Sequence, residues 1–192
     1  MAEILLFHHA HGLTLGVRAF ADKIRLAGHT VHVPDLYEGR IFNDFEAGVG
    51  YAQEIGFGAI IERGLRAASA LPKRIVYAGF SLGVLPAQKL AQTRAGAQGT
   101  LLFHSCVRVA EFSSAWPHGL PVQIHAMDAD KWFIEEGDLL AAHELVAGVA
   151  KAQLFLYRGD RHLFADNSLS SYDEGAAGLL MERVIGFLDA IG

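Results

Sequence analysis

Gly79-Phe80-Ser81-Leu82-Gly83 is the stretch on which the reading of the fold turns. Before it, Arg74-Ile75-Val76-Tyr77-Ala78 is a short β-branched and apolar run, which predicts a buried strand. After it, Val84 to Thr93 predicts a helix, with Pro86 in the first turn, where a missing N–H breaks no hydrogen bond. Strand, Gly-x-Ser-x-Gly and helix, in that order, form a nucleophile elbow. The turn is so tight that the residues two before and two after the serine can carry almost no side chain. The serine is held in a strained conformation with its hydroxyl above the sheet's edge. The following helix aims its N-terminal N–H groups at the place where negative charge develops.

Outward from the elbow, strand and helix alternate. Residues 3–8 are a continuous apolar run of strand length, ending in His8-His9-Ala10-His11-Gly12. A helix follows, with Val17, Phe20, Ala21 and Ile24 on one face and Gly28 placed to stop it. Residues 30–33 alternate as a second strand, closed by Pro34-Asp35. Residues 45–71 are helical, divided at Gly56-Phe57-Gly58, and the second half carries Ile61, Leu65 and Ala68 before Pro72. Beyond the elbow helix, strands are predicted over 100–103, 121–126 and 153–157, with a helix over 138–147 between the last two. The C-terminal helix opens with Ser171-Tyr172-Asp173-Glu174, which has capping-box spacing, and its apolar face is Ala177, Leu180, Val184, Phe187 and Leu188. This alternation predicts a three-layer α/β domain over residues 1–192, a mostly parallel sheet of about six strands with helices on both faces. The site then lies at the carboxyl ends of the strands.

Composition narrows the function classes. The 192 residues suffice for one domain with a full core, and the formal net charge is −5. No basic run or aromatic–basic interleaving is present, so neither nucleic acid nor an anionic membrane is an expected partner. No apolar stretch reaches the ~18 residues of a spanning helix. Met1-Ala2-Glu3 runs directly into the first strand without the cationic region of a signal peptide. Cys106 is alone, which excludes an internal disulfide and fits a reducing cytoplasm. The expectation is a cytoplasmic monomer or small homo-oligomer acting on a small molecule.

A serine hydroxyl is a weak nucleophile until a base takes its proton, so Ser81 requires a histidine and an orienting carboxylate. The strand ending near residue 126 runs into Met127-Asp128-Ala129-Asp130-Lys131, and the next into Arg158-Gly159-Asp160-Arg161-His162. Serine, acid and histidine thus occur in one order on loops at one end of the sheet. Two other nucleophile or metal readings compete. His8, His9 and His11 with His104 resemble zinc ligands in type, but His8 and His9 alternate in a strand and point to opposite faces, so no metal or other cofactor is expected. Cys106 lacks the glycines of a tight turn and reads as a small buried residue. A non-catalytic binding protein on the same fold is the alternative outside enzyme chemistry.

These residues resemble the dienelactone hydrolase family of the α/β-hydrolase superfamily. The resemblance rests on Ala27-Gly28-His29 with Val33-Pro34-Asp35-Leu36-Tyr37, on Gly79 to Gly83, on Ile124-His125-Ala126 with Asp130, and on Tyr157, Gly159, His162 and Phe164. It implies an α/β-hydrolase fold without a large lid and a hydrolase of small esters or lactones. It also implies Ser81 as nucleophile, Asp130 rather than Asp128 as acid, His162 as base, and N–H groups of Leu82 and Ala10 as the oxyanion hole. His9, Phe164 and Trp132 are the expected substrate contacts, with Trp116, Phe80 and Tyr37 as further candidates for the pocket walls. The chain departs from the family in carrying serine where cysteine is common and His9 where the defining members have glutamate. Asp166 stands about where they hold an arginine for the substrate carboxylate. If Asp166 faces the pocket it repels an anion, so neutral substrates are expected, unless Arg161 or Arg108 supplies a relocated anion site.

Overall fold

A computed structural model describes residues 1–192. Its centre is a six-stranded sheet in the order β2-β1-β3-β4-β5-β6, parallel throughout. The strands are β1 (Glu3–Phe7), β2 (Thr30–His32), β3 (Val76–Phe80), β4 (Gly99–Phe103), β5 (Val122–Met127) and β6 (Ala152–Tyr157). The chain winds outward in both directions from β1 and β3, so a switch point lies between their carboxyl ends, where a crevice forms by topology alone.

Alternation along each strand divides the core in two. Leu5 and Phe7 of β1 face one layer, and Ile4 and Leu6 face the other. The first layer holds α2 (Phe45–Ile55), α3 (Phe57–Ser69), α4 (Val84–Thr93), α5 (Lys131–Glu135) and α6 (Asp138–Gly148). The second holds α1 (Leu15–Leu26) and α7 (Glu174–Ile191). Val17, Phe20, Ala21 and Ile24 are all buried, as their spacing requires. No helix is long and apolar enough to cross a membrane.

Three local expectations are corrected. The buried face of α3 is Ile60, Gly64 and Ala68, not the stripe through Ile61 and Leu65. Gly64 lies so close to Pro86 of α4 that a Cβ there would collide with the proline ring, and this approach turns Ile61 toward the carboxyl end of the sheet. The cap of α7 is Asp173, whose carboxylate accepts the Ala176 N–H at 3.0 Å, so Ser171 lies outside the helix. The short helix α5 is absent from the sequence reading. It is started by Asp130, which accepts the Trp132 N–H at 3.0 Å.

Candidate active site

Phe80 ends β3 and the chain turns at once through a single 3-10 turn, Ser81–Gly83, into α4. A Cβ on Gly79 would overlap the Gly83 carbonyl, and one on Gly83 would meet the carbonyl oxygens of Phe7 and His8 at the end of β1. Both positions therefore need glycine. Ser81 has φ +47, a region that an L-residue enters only at a cost. His104 and Leu163, on the loops after β4 and β6, have φ +63 and +60. Strain of this kind is concentrated at the carboxyl end of the sheet, where three loops converge.

There the structure brings together three residues from three loops. The Ser81 hydroxyl is 3.0 Å from His162 Nε2, and His162 Nδ1 is 2.7 Å from Asp130 Oδ2. Asp130 is buried, and its second oxygen accepts the Trp132 N–H. An imidazole carrying its proton on Nδ1 satisfies both contacts, donating to Asp130 and leaving Nε2 to accept from the hydroxyl. Asp128, the other acid of this loop, accepts the Gly159 N–H at 2.9 Å and ties the β5 loop to the β6 loop. It does not reach His162.

Ser81 opens into a cleft of about 800 Å³ whose lining includes Ala10, Leu82, His162 and Trp132. The Ala10 N–H, in the turn after β1, donates to no group in the chain. Apolar walls come from Val49, Ile61, Leu85 and Phe112. At the rim stand Glu111, Glu136 and Asp138, with one cation, Arg108, whose Nε lies 3.6 Å from Glu144. Burial pushes the Asp138 carboxyl up, against hydrogen bonds from Ser105 and the Cys106 N–H.

Several expected contacts lie elsewhere. His9 is buried beneath the site, its Nε2 2.7 Å from Asp166 Oδ2 and its Nδ1 accepting the His11 N–H. Asp166 does not face the cleft either. It is enclosed by donors from His9, Thr14, Ser168 Oγ and the Ser168 N–H, which outweigh burial and hold its carboxyl below the usual range. Phe164 packs edge-on against His104 in the core. Phe80 is buried among Phe20 and Phe103, Tyr37 donates to the Gly48 carbonyl, and Trp116 donates to the Leu120 carbonyl. Of the aromatic residues singled out from the sequence, Trp132 alone lines the cleft. Arg161 spends its guanidinium on the Tyr172 carbonyl and Asp173.

His8 and His11 are each committed to the backbone, whereas both ring nitrogens of His104 are buried without a hydrogen-bond partner. His8 Nδ1 donates to the His9 carbonyl and Nε2 accepts the Leu36 N–H, on the opposite side of β1 from His9. His11 Nδ1 donates to the Phe42 carbonyl. No three His, Cys, Asp or Glu side chains converge as a metal-binding group. Cys106 borders the cleft but is buried, and burial with Asp138 nearby pushes its thiol well up, away from the reactive thiolate.

Two residues of the site escaped the sequence reading. Phe45 begins α2 and stands against both His162 and Trp132, at ring separations of 5.1 and 4.8 Å. Asp44, whose side chain caps that helix, was the available signal for a helix start beside the site. Asp138 opens α6 with the acidic first turn common in helices, so nothing in the sequence marked it as a cleft residue.

Solved structures share this architecture. A protein of Klebsiella pneumoniae assigned as a dienelactone hydrolase superposes with a TM-score of 0.77 at 16% identity, covering 98% of this chain and 87% of that one. A dienelactone hydrolase-like promiscuous phosphotriesterase from metagenomic libraries gives 0.77 at 16% identity, over 100% of this chain and 87% of its own. An esterase of the archaeon Pyrobaculum calidifontis gives 0.67 at 16% identity, over 99% and 75%. At these identities the likeness establishes the α/β-hydrolase fold. A search among curated proteins finds no match. The family model of the dienelactone hydrolases, in contrast, matches residues 2–192, and with the fold and the elbow in place the chain belongs to the dienelactone hydrolase family of hydrolases.

Proposed function

We propose that this hydrolase cleaves small neutral carboxylic esters or lactones through an acyl-Ser81 intermediate. The observation that carries the proposal is the unbroken hydrogen-bonded chain from Asp130 through His162 to Ser81, ending in an open cleft. His162 Nε2 takes the hydroxyl proton as Ser81 Oγ attacks the carbonyl carbon. The carbonyl π electrons move to oxygen, and the N–H groups of Leu82 and Ala10 stabilise that oxyanion. As the tetrahedral intermediate collapses, His162 Nε2–H returns the proton to the departing oxygen. Water then enters and attacks the acyl carbon as His162 Nε2 takes its proton. The second tetrahedral intermediate collapses by breaking the C–Oγ bond, His162 returns the proton to Ser81 Oγ, and the acid leaves. Asp130 keeps the imidazole in the required tautomer and stabilises the imidazolium.

Neutral substrates are favoured because the cleft carries Glu111 and Glu136 against Arg108, which is itself beside Glu144. Asp166, buried beneath the site and enclosed by donors, exerts no direct repulsion in the cleft. A panel of esters and lactones with their carboxylated analogues measures the preference directly.

Fluorophosphonate treatment followed by mass spectrometry should find one adduct, on Ser81, and none in Ser81→Ala. A non-catalytic binding protein would not react, and an adduct elsewhere would overturn the assignment. Because every step uses side chains and backbone N–H groups of this chain, turnover is expected to survive exhaustive chelation. Loss of activity to EDTA, restored by zinc, would place a metal in the reaction.

A further inference from the structure

A second groove, of about 690 Å³, runs along the other side of His162. The groove and the Ser81 cleft share three residues, Phe45, Trp132 and His162. Phe45 and Trp132 meet edge to face at 4.8 Å, so this aromatic pair forms a partition between two spaces that both reach the imidazole. Ser81, Leu82 and Ala10 belong to the cleft and not to the groove. The groove has apolar walls from Ile41, Phe42 and Leu169, and polar sides from Asn43, Asp44, Ser168, Ser170 and Ser171.

Resting on the acyl-Ser81 reading, we propose that this groove binds the alcohol portion of the ester, and that the Ser81 cleft binds the acyl portion. The chemistry of the leaving group supports this division. The carbonyl carbon must sit at Ser81 Oγ, with its oxygen toward Leu82 and Ala10, which fixes it in the cleft. Of the two remaining substituents, one must place its oxygen against His162 Nε2, because that nitrogen delivers the proton when the C–O bond breaks. The alcohol chain therefore leaves past His162, over the Phe45–Trp132 partition, and into the groove. The acyl chain continues the other way, toward Val49, Ile61 and Leu85. The substrate class this predicts is an ester whose alcohol portion is several carbons long.

The test uses two ester series, one acid with methanol, butanol and hexanol, and one alcohol with acids of increasing length. kcat/KM, which reports acylation, should rise at least about tenfold from methyl to hexyl, the equivalent of roughly two of the five added methylenes leaving water completely in an open, partly polar groove. Ser170→Trp, at an exposed position that fills the groove, should flatten the alcohol series, and Ile41→Ala should flatten it by removing the wall. Val49→Trp should instead flatten the acid series. The alcohol departs during acylation, so single-turnover acylation carries its dependence, whereas hydrolysis of the acyl-enzyme does not. A general structural disturbance would move both. A flat alcohol series in the parent protein, or a Ser170→Trp effect confined to the acid series, overturns the groove assignment. Fluorophosphonate labelling of the same preparations separates the two proposals. Labelled protein with a flat alcohol series rejects the groove alone, whereas failure of the parent protein to label rejects the acyl-serine reading beneath it.

Discussion

Asp130→Asn is expected to lower kcat by about four orders of magnitude, while Asp128→Asn stays within about tenfold of the parent protein. The two acids lie in one loop, but their hydrogen bonds differ. Asp130 Oδ1 accepts the Trp132 N–H at the start of α5, and Oδ2 faces His162 Nδ1 at 2.7 Å. In the asparagine variant the amide oxygen must stay on the Trp132 N–H, so the NH2 group turns toward His162. Nδ1 then has to accept, and the imidazole proton moves to Nε2, where it points at Ser81. That imidazole cannot take the hydroxyl proton, although its position is unchanged. Asp128 accepts one backbone N–H, from Gly159, and an asparagine oxygen can do the same. Its neighbours add the Asp128 N–H to Tyr157 and the Ala129 N–H to Gly159, so this end of the loop is fixed by several contacts. Steady-state kinetics on one neutral ester, with the rate of fluorophosphonate labelling as a second readout, measures both variants. The reverse ranking would mean that Asp128 serves His162 in the working enzyme.

The elbow was legible because its constraint is steric and local. A glycine is required wherever a Cβ would strike backbone, and Gly79 and Gly83 meet that condition through neighbours a few residues away and through the end of β1. The parallel sheet was legible for a related reason, since strands buried on both faces are continuous apolar runs, as in Leu5 to Phe7 and Leu101 to Phe103. Sequence does not show which side of a loop a side chain takes. His9, Phe164 and Asp166 follow strands at the correct end of the sheet, yet all three turn beneath the site, where His9 and Asp166 join the loops after β1 and β6 and Phe164 packs on His104 after β4. Trp132 and Phe45 reach the cleft because each lies in the first turn of a helix whose N-terminus is set by a capping aspartate, Asp130 and Asp44. The helix face of α3 was misplaced by one residue because close approach at Gly64 outweighed the larger side chains beside it.

Stability should fall by about 4 kcal/mol between pH 7 and pH 5.5, well above the range where carboxylates titrate. Three histidines are the cause. Burial lowers His9 to about 4, against its hydrogen bond with Asp166, and lowers His125 to about 3, helped by the Arg183 charge. Burial also drives His104 well below its ordinary value, with His162 and His9 adding to the effect. In the unfolded chain each imidazole titrates near 6.5. The folded values are depressed, so the stabilisation is complete above that pH and is lost as pH falls toward the folded values, because the unfolded state takes up protons first. Each ring contributes a little over about 1 kcal/mol across this interval, and the three together approach the lower end of the total stability of a domain. Asp166 cannot account for such a loss. Its depressed carboxyl begins to cost stability only as the pH falls through the unfolded carboxylate value near 4. Urea unfolding followed by circular dichroism at pH 8, 7, 6 and 5.5 gives the slope. His104→Phe supplies the internal control. Both ring nitrogens of His104 are buried without a partner, and the ring lies within the aromatic cluster of Phe80 and Phe164. Replacing it breaks no hydrogen bond and should remove about a third of the pH dependence. A stability that stays flat from pH 7 to 5.5 would show that these rings accept protons within the fold, which would require partners for their nitrogens that the packing around His104 does not provide.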